Sequence, residues 1–151
     1  MTSVSLQDLI NRGLLRPHTT SLREIADLLR VADRDLADAS IAALSADRRF
    51  ATAYNAALQL ATMILYAAGY RTTGASHHWT TLQALPEVMG SSVRPRADYL
   101  NVCRSKRNVT DYDRAGEISE AEAQEILAEA RAFRSDVLEW LRVNHPALLP
   151  P

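Results

Sequence analysis

Residues 47–68, DRRFATAYNAALQLATMILYAA, are the segment that decides the fold. Apolar side chains fall on most sides of a helix drawn over this stretch, which is typical of a helix in the middle of a bundle. Ser45 is placed to cap the first turn of that helix, and Gly69 is placed to end its last turn. The segment therefore predicts a central helix that runs from Asp47 to Ala68.

Length and composition indicate how many domains the chain forms and which partners its charge favours. The chain has 151 residues, of which 47% are hydrophobic, and its net charge is −1 at pH 7. This is the size of one domain, so we expect a single helical domain over 1–151, with 1–20 forming a short helix and a connector. A net charge near zero argues against a protein that coats nucleic acid by its overall charge, and it leaves a local basic patch open.

We expect a cytoplasmic protein without a membrane anchor. The best apolar run, Ala56 to Ala68, is shorter than the roughly 20 residues that a spanning helix needs. Residues 1–7 lack the basic and apolar regions of a secretory signal. The single Cys103 cannot form a disulfide within the chain, which suits a reducing compartment.

Capping residues and helix breakers divide the rest of the chain. Ser21 with Glu24, and Ser119 with Glu122, have the spacing of capping boxes. Pro86 is expected to interrupt a helix, and no segment shows the alternation of a strand. These patterns predict an all-α antiparallel bundle of four to five helices. Its helices, besides the central one, are expected at Leu22–Ala39, at His78–Met89, from Pro95 to about Asp111, and from the Ser119 cap to Asn144. A short helix at Leu6–Asn11 precedes them.

Most common catalytic and cofactor motifs are missing from the sequence. There is no Glu-x-x-His pair of a di-metal bundle, no cysteine set for zinc, no phosphate-binding glycine loop and no nucleophile elbow. We therefore expect no metal and no cofactor. His77 and His78 would point about 100° apart on a helix, so they are poorly placed to share a metal. We interpret them as residues of a helix start, with one packed beside Trp79, itself a core or interface anchor.

The most informative polar segment is 99–112, YLNVCRSKRNVTDY. Arg104, Lys106 and Arg107 form its dense basic cluster, which makes them candidates for binding nucleic acid. Arg107 lies on or beside the apolar stripe of the predicted helix, and burying an unpaired guanidinium is very costly. Three partners are open for it: Asp111 four residues later, an acidic group on another chain, or a phosphate of a ligand.

Taken in order along the chain, these features resemble the HEPN superfamily, helical domains named for nucleotide binding in higher eukaryotes and prokaryotes. The resemblance covers about Ser21 to Asn144. It rests on a pair of long alanine-rich helices, on a histidine-bearing loop, on an Arg-Asn pair near a helix end, and on a long last helix. The residues that carry it are Ala67-Ala68-Gly69-Tyr70, Ser76-His77-His78, Arg107-Asn108, Tyr112 and Ile118-Ser119.

The resemblance implies specific roles for these residues. Many HEPN proteins are metal-independent ribonucleases in which an arginine, a following polar residue and a histidine from each of two copies form one cleft. Arg107 would then bind the scissile phosphate, and Asn108 would hold the motif. Tyr112 occupies the histidine position, and a tyrosine is a poor general base at neutral pH. His78, approaching from another helix, is a supporting candidate.

Three functions follow as alternatives. The first is a HEPN-like module that binds nucleotide, RNA or a partner protein, and it is favoured because the histidine is missing. In this case a nucleotidyltransferase is a possible partner, with Tyr112 as the residue it modifies. The second is a toxin-like ribonuclease acting as a homodimer, with the Tyr99–Tyr112 helix near the two-fold axis. The third is a structural interaction domain in which Arg107 and Asp111 form an internal ion pair.

Overall fold

The computed structural model describes residues 4–112 and 117–151, with the side chains of 108–112 outside the description. The described chain is mostly α-helical, as predicted, and it contains six α-helices and one two-stranded antiparallel sheet. Two short 3-10 helices, Ser91–Val93 and Pro146–Leu148, precede the fifth helix and follow the sixth. In chain order the elements are α1 (Leu6–Asn11), β1 (Leu15–Pro17), α2 (Leu22–Ala39), α3 (Ala46–Ala67), β2 (Tyr70–Thr72), α4 (His77–Met89), α5 (Arg94–Tyr112) and α6 (Glu120–Asn144).

Helix α3 is the centre of the fold, which confirms the prediction made from residues 47–68. It packs chiefly against α2 and α6, and it also contacts α4 and α5. Its buried residues lie on several faces, because neighbours surround it. The Ser45 side chain accepts a hydrogen bond from the amide of Arg48 as the expected cap, and Gly69 follows the helix with a φ of 96°.

The main core surrounds α3 and includes buried residues of α2, α4, α5 and α6. Phe133, Val137 and Leu141 are fully buried on one stripe of α6, with a spacing of four residues. They belong to the same cluster as Leu60 and Ile64 of α3. Burial of this stripe is the chief stabilising contribution of α6, since apolar area removed from water is the main favourable term in folding.

Only one of the two predicted capping boxes forms completely. Ser119 and Glu122 form a complete box at the start of α6. Ser21 accepts from the Glu24 amide at 3.1 Å, but the Glu24 carboxylate does not return to Ser21. It accepts instead from the Thr20 hydroxyl at 2.7 Å and lies 2.6 Å from His18 Nε2, so it fastens the connector to α2.

The expectation that the chain has no strand is wrong. Leu15–Pro17 and Tyr70–Thr72 pair as antiparallel strands, with Arg16 opposite Arg71. Each strand has only three residues, too few to show a period of two, and the pairing joins segments that are far apart in sequence. The sheet attaches the N-terminal segment to the chain that links α3 and α4.

Pro86 does not interrupt α4, which continues to Met89. The proline lies in the last turn, where it removes a single backbone donor, and Gly90 ends the helix with a φ of 103°. None of the described helices is long and apolar enough to span a bilayer.

Candidate functional site

A cleft of about 360 Å³ opens where α4 begins. Its volume falls within the roughly 300–1,000 Å³ of typical small-molecule sites. The side chains that line it in the described part of the chain come from the start of α4 and from α5. They are Ser76, His77, His78, Trp79 and Arg104.

The N-terminus of α4 lies at this cleft. Ser76 precedes the helix in the left-handed region, with a φ of 64°, and its side chain makes no capping hydrogen bond. The first amides of a helix have no partner within the helix, and they carry the positive end of its dipole. An uncapped helix start of this kind is suited to binding an anion.

His78 contacts the buried Tyr54 of α3 on the side away from solvent. The Tyr54 hydroxyl lies 3.2 Å from His78 Nδ1, and the two ring centroids are 5.8 Å apart. Tyr54 is only 1% exposed, and burial raises its pKa to about 12, so the phenol stays protonated at neutral pH. Among the described residues, none forms a hydrogen bond with the second ring nitrogen of His78, Nε2.

Two arginines of α5 lie near this pair, because residues three apart share a helix face. The Arg107 guanidinium is 5.7 Å from the centre of the Tyr54 ring. Arg104 lines the cleft, donates to Asn101 Oδ1 at 3.0 Å, and has no ion pair with a described carboxylate. Burial first, and then the positive charges of Arg107 and Arg104, lower the pKa of His78, so its imidazole is neutral at pH 7.

Lys106 points away from these groups. Its ammonium forms an ion pair with Glu122 of α6. The hydrogen bond from Lys106 lowers the pKa of Glu122 to about 2. The structure therefore divides the predicted basic cluster. Arg104 and Arg107 lie near the cleft, and Lys106 forms its ion pair at the α5–α6 contact.

The remaining predicted site residues lie outside the description. These are Asn108, Asp111 and Tyr112, whose side chains are not among the described ones. No protein-family model, curated protein or solved structure matches this chain. The resemblance to HEPN domains therefore stays a prediction from the sequence.

Sequence reasoning did not predict that Tyr54 and Ser76 contribute to the site. Tyr54 was part of the apolar pattern of the central helix, and its distance along the chain from His78 hides their contact. Ser76 gives no sequence signal for its left-handed backbone. Among residues 4–107 and 117–151, the structure shows no group of three potential metal ligands.

Proposed function

We propose that this protein binds the phosphate groups of RNA or of a nucleotide in the cleft at the start of α4. The observation that carries the proposal is the meeting of the uncapped helix start with Arg104 and His78 in one cleft. No acidic side chain lines the cleft in the part of the chain that is described. Such a set of donors and positive charge favours an anion with several oxygens.

Phosphate suits this cleft better than a single-oxygen anion. A guanidinium binds two phosphate oxygens through parallel hydrogen bonds, and backbone amides at a helix start bind a third. Overall charge contributes little, because the protein carries a net charge of only −1. Binding is therefore expected to be local and to weaken as salt screens the few charges involved.

We expect Arg104→Ala to weaken binding of a short labelled RNA by about tenfold. The reason is the loss of one charged hydrogen bond to phosphate, worth roughly 1.5 kcal/mol. The slope of log affinity against log salt should fall by about 0.7, as for one phosphate contact on a single strand. Fluorescence anisotropy over a series of salt concentrations measures both quantities.

Lys106→Ala is the matched control for this experiment. It removes one positive charge from the same helix, two residues away, at a position already paired with Glu122. Its RNA affinity should stay within about twofold of wild type, since a surface charge that is already paired contributes little. Equal losses in the two variants would show that binding follows overall charge and would contradict the proposal.

Metal-independent cleavage of RNA is a second candidate, favoured by the state of His78. A neutral imidazole accepts a proton, and Tyr54 fixes its ring from the buried side. Arginine charge beside it is suited to stabilising a phosphate that gains negative charge during cleavage. In this proposal His78 takes the role for which the resemblance offers only Tyr112.

A homodimer is part of the proposal, with α5 at the interface. Val102 of α5 is 55% exposed, and it is one of few large apolar side chains on the described surface. We expect Val102→Glu to shift the protein towards a monomer, because like charges would face each other across a two-fold axis. Light scattering coupled to size exclusion measures the mass.

Val143→Glu is the control for the dimer. Val143 is 61% exposed near the end of α6, so the same substitution there tests a general effect of added charge. A wild type that is already monomeric at micromolar concentration would contradict the dimer. A nucleotidyltransferase that modifies Tyr112 is a further partner that the resemblance to HEPN proteins implies.

A further inference from the structure

Trp79 places a large aromatic surface at the edge of the cleft. It follows His78 in α4, lines the same cleft and is only partly buried. One side of its indole packs on a small apolar cluster that includes Leu9 and Leu15. A partly exposed tryptophan held in this way has a fixed orientation and an accessible portion of ring.

Arg12 lies over the same ring. Its guanidinium carbon is 5.4 Å from the centre of the Trp79 ring, which is within range for a cation–π contact. Arg12 is the C-terminal cap of α1 and exposed, and it makes no ion pair with any described residue. The exposed guanidinium and the accessible portion of the partly buried indole are flat surfaces on which an aromatic ring stacks.

We propose that Trp79 and Arg12 form a nucleobase-stacking subsite next to the phosphate cleft. The inference rests on the proposed function and narrows its ligand to one that carries an unpaired base. A base on Trp79 would place its phosphate towards His78 and Arg104, because these residues line one cleft. Stacking depends on the flat face that all bases share, so the subsite tolerates any of the four bases.

The test uses Trp140→Phe, a variant in which Trp79 is the only tryptophan. Its fluorescence is followed during titration with an eight-residue oligouridylate, and in parallel with inorganic polyphosphate of equal charge. We expect the oligonucleotide to quench Trp79 strongly. Polyphosphate should bind, as measured by displacement of a labelled RNA, with little quenching.

Trp79→Leu adds an affinity measurement to the fluorescence. It keeps an apolar side chain against the cluster of Leu9 and should lower oligonucleotide affinity roughly 5- to 150-fold, the range for loss of one base–aromatic stack. Polyphosphate affinity should stay within twofold. Arg12→Gln should give a smaller loss in the same direction, and circular dichroism checks that each variant is folded.

The outcomes separate the two proposals. If both ligands bind, Arg104→Ala weakens both, and the Trp79 signal is unchanged by oligouridylate, then the stacking subsite is wrong and the phosphate site stands. If neither ligand binds, the phosphate site and the stacking subsite are both wrong. Quenching that is confined to the oligonucleotide supports both.

Discussion

His78→Asn is expected to lower metal-independent cleavage of RNA by about 100- to 10,000-fold, the contribution of one positioned general acid or base. Asparagine keeps a polar group near the Nδ1 position that meets the Tyr54 hydroxyl, and it removes the distal nitrogen Nε2. The reaction would need a base to take the proton of the ribose 2′-hydroxyl as its oxygen attacks the adjacent phosphorus. The P–O5′ bond then breaks to leave a 2′,3′-cyclic phosphate, and the departing 5′-oxygen takes a proton from water. Burial and the neighbouring arginines lower the pKa of His78, so the neutral imidazole predominates at pH 7. Its Nε2 accepts the proton in the tautomer whose Nδ1–H donates to the Tyr54 oxygen.

The measurement is a single-turnover assay with end-labelled RNA in the presence of EDTA. His77→Asn is the matched control, because His77 lines the same cleft but its Nδ1 lies 2.6 Å from the Thr72 hydroxyl. Its rate should stay within about tenfold of wild type. A wild type that leaves the RNA intact, or a His78→Asn variant as active as wild type, would exclude this mechanism and leave the binding function.

Phe133→Ala is expected to lower the free energy of unfolding by roughly 3–5 kcal/mol. Phe133 is fully buried in the core between α3 and α6, so its removal leaves a cavity as well as losing apolar burial. Arg96 also places its guanidinium carbon 5.6 Å from the ring, a contact that alanine cannot make. A domain has only about 5–15 kcal/mol of stability, so this loss is a large fraction of it.

Urea unfolding followed by circular dichroism at 222 nm measures the change. Val143→Ala on the same helix is the control, since its side chain is 61% exposed and its change should be within about 0.5 kcal/mol. A loss below about 1.5 kcal/mol for Phe133→Ala would mean that the α3–α6 contact is not a main part of the core.

The helices were predictable because their signals are local. The pattern of residues 47–68, the Ser45 cap and the Gly69 stop all lie within one segment, and the structure places α3 within one residue of the predicted bounds. The box at Ser21 was only half right, because Glu24 has a better partner in His18, on a connector whose path the sequence does not reveal. Local patterns predict where a helix begins and not which distant group competes for its side chains.

The candidate site was predictable in part for the same reason. Arg104 and Lys106 form one cluster in the sequence. Their two-residue spacing puts them on different sides of a helix, but only the structure shows that Lys106 pairs with Glu122 of α6. The sequence named His78 as a candidate site residue but did not indicate which side chain would form a hydrogen bond with it. Its contact with Tyr54 depends on how α3 and α4 pack, which residue periodicity does not specify.

The small sheet has a consequence for the site that its size does not suggest. The Thr73 hydroxyl donates to the carbonyl of Gly13, and the neighbouring Thr72 hydroxyl contacts His77. The N-terminal arm, which carries α1 and β1, is therefore attached to the lining of the cleft. Proteolytic trimming of the first twenty residues would take away β1 and Arg12, and with them the buried Leu9 and Leu15 that pack on α3 and α4. Any tag or fusion that displaces this arm would then alter ligand affinity at a distance, without a visible change in helix content.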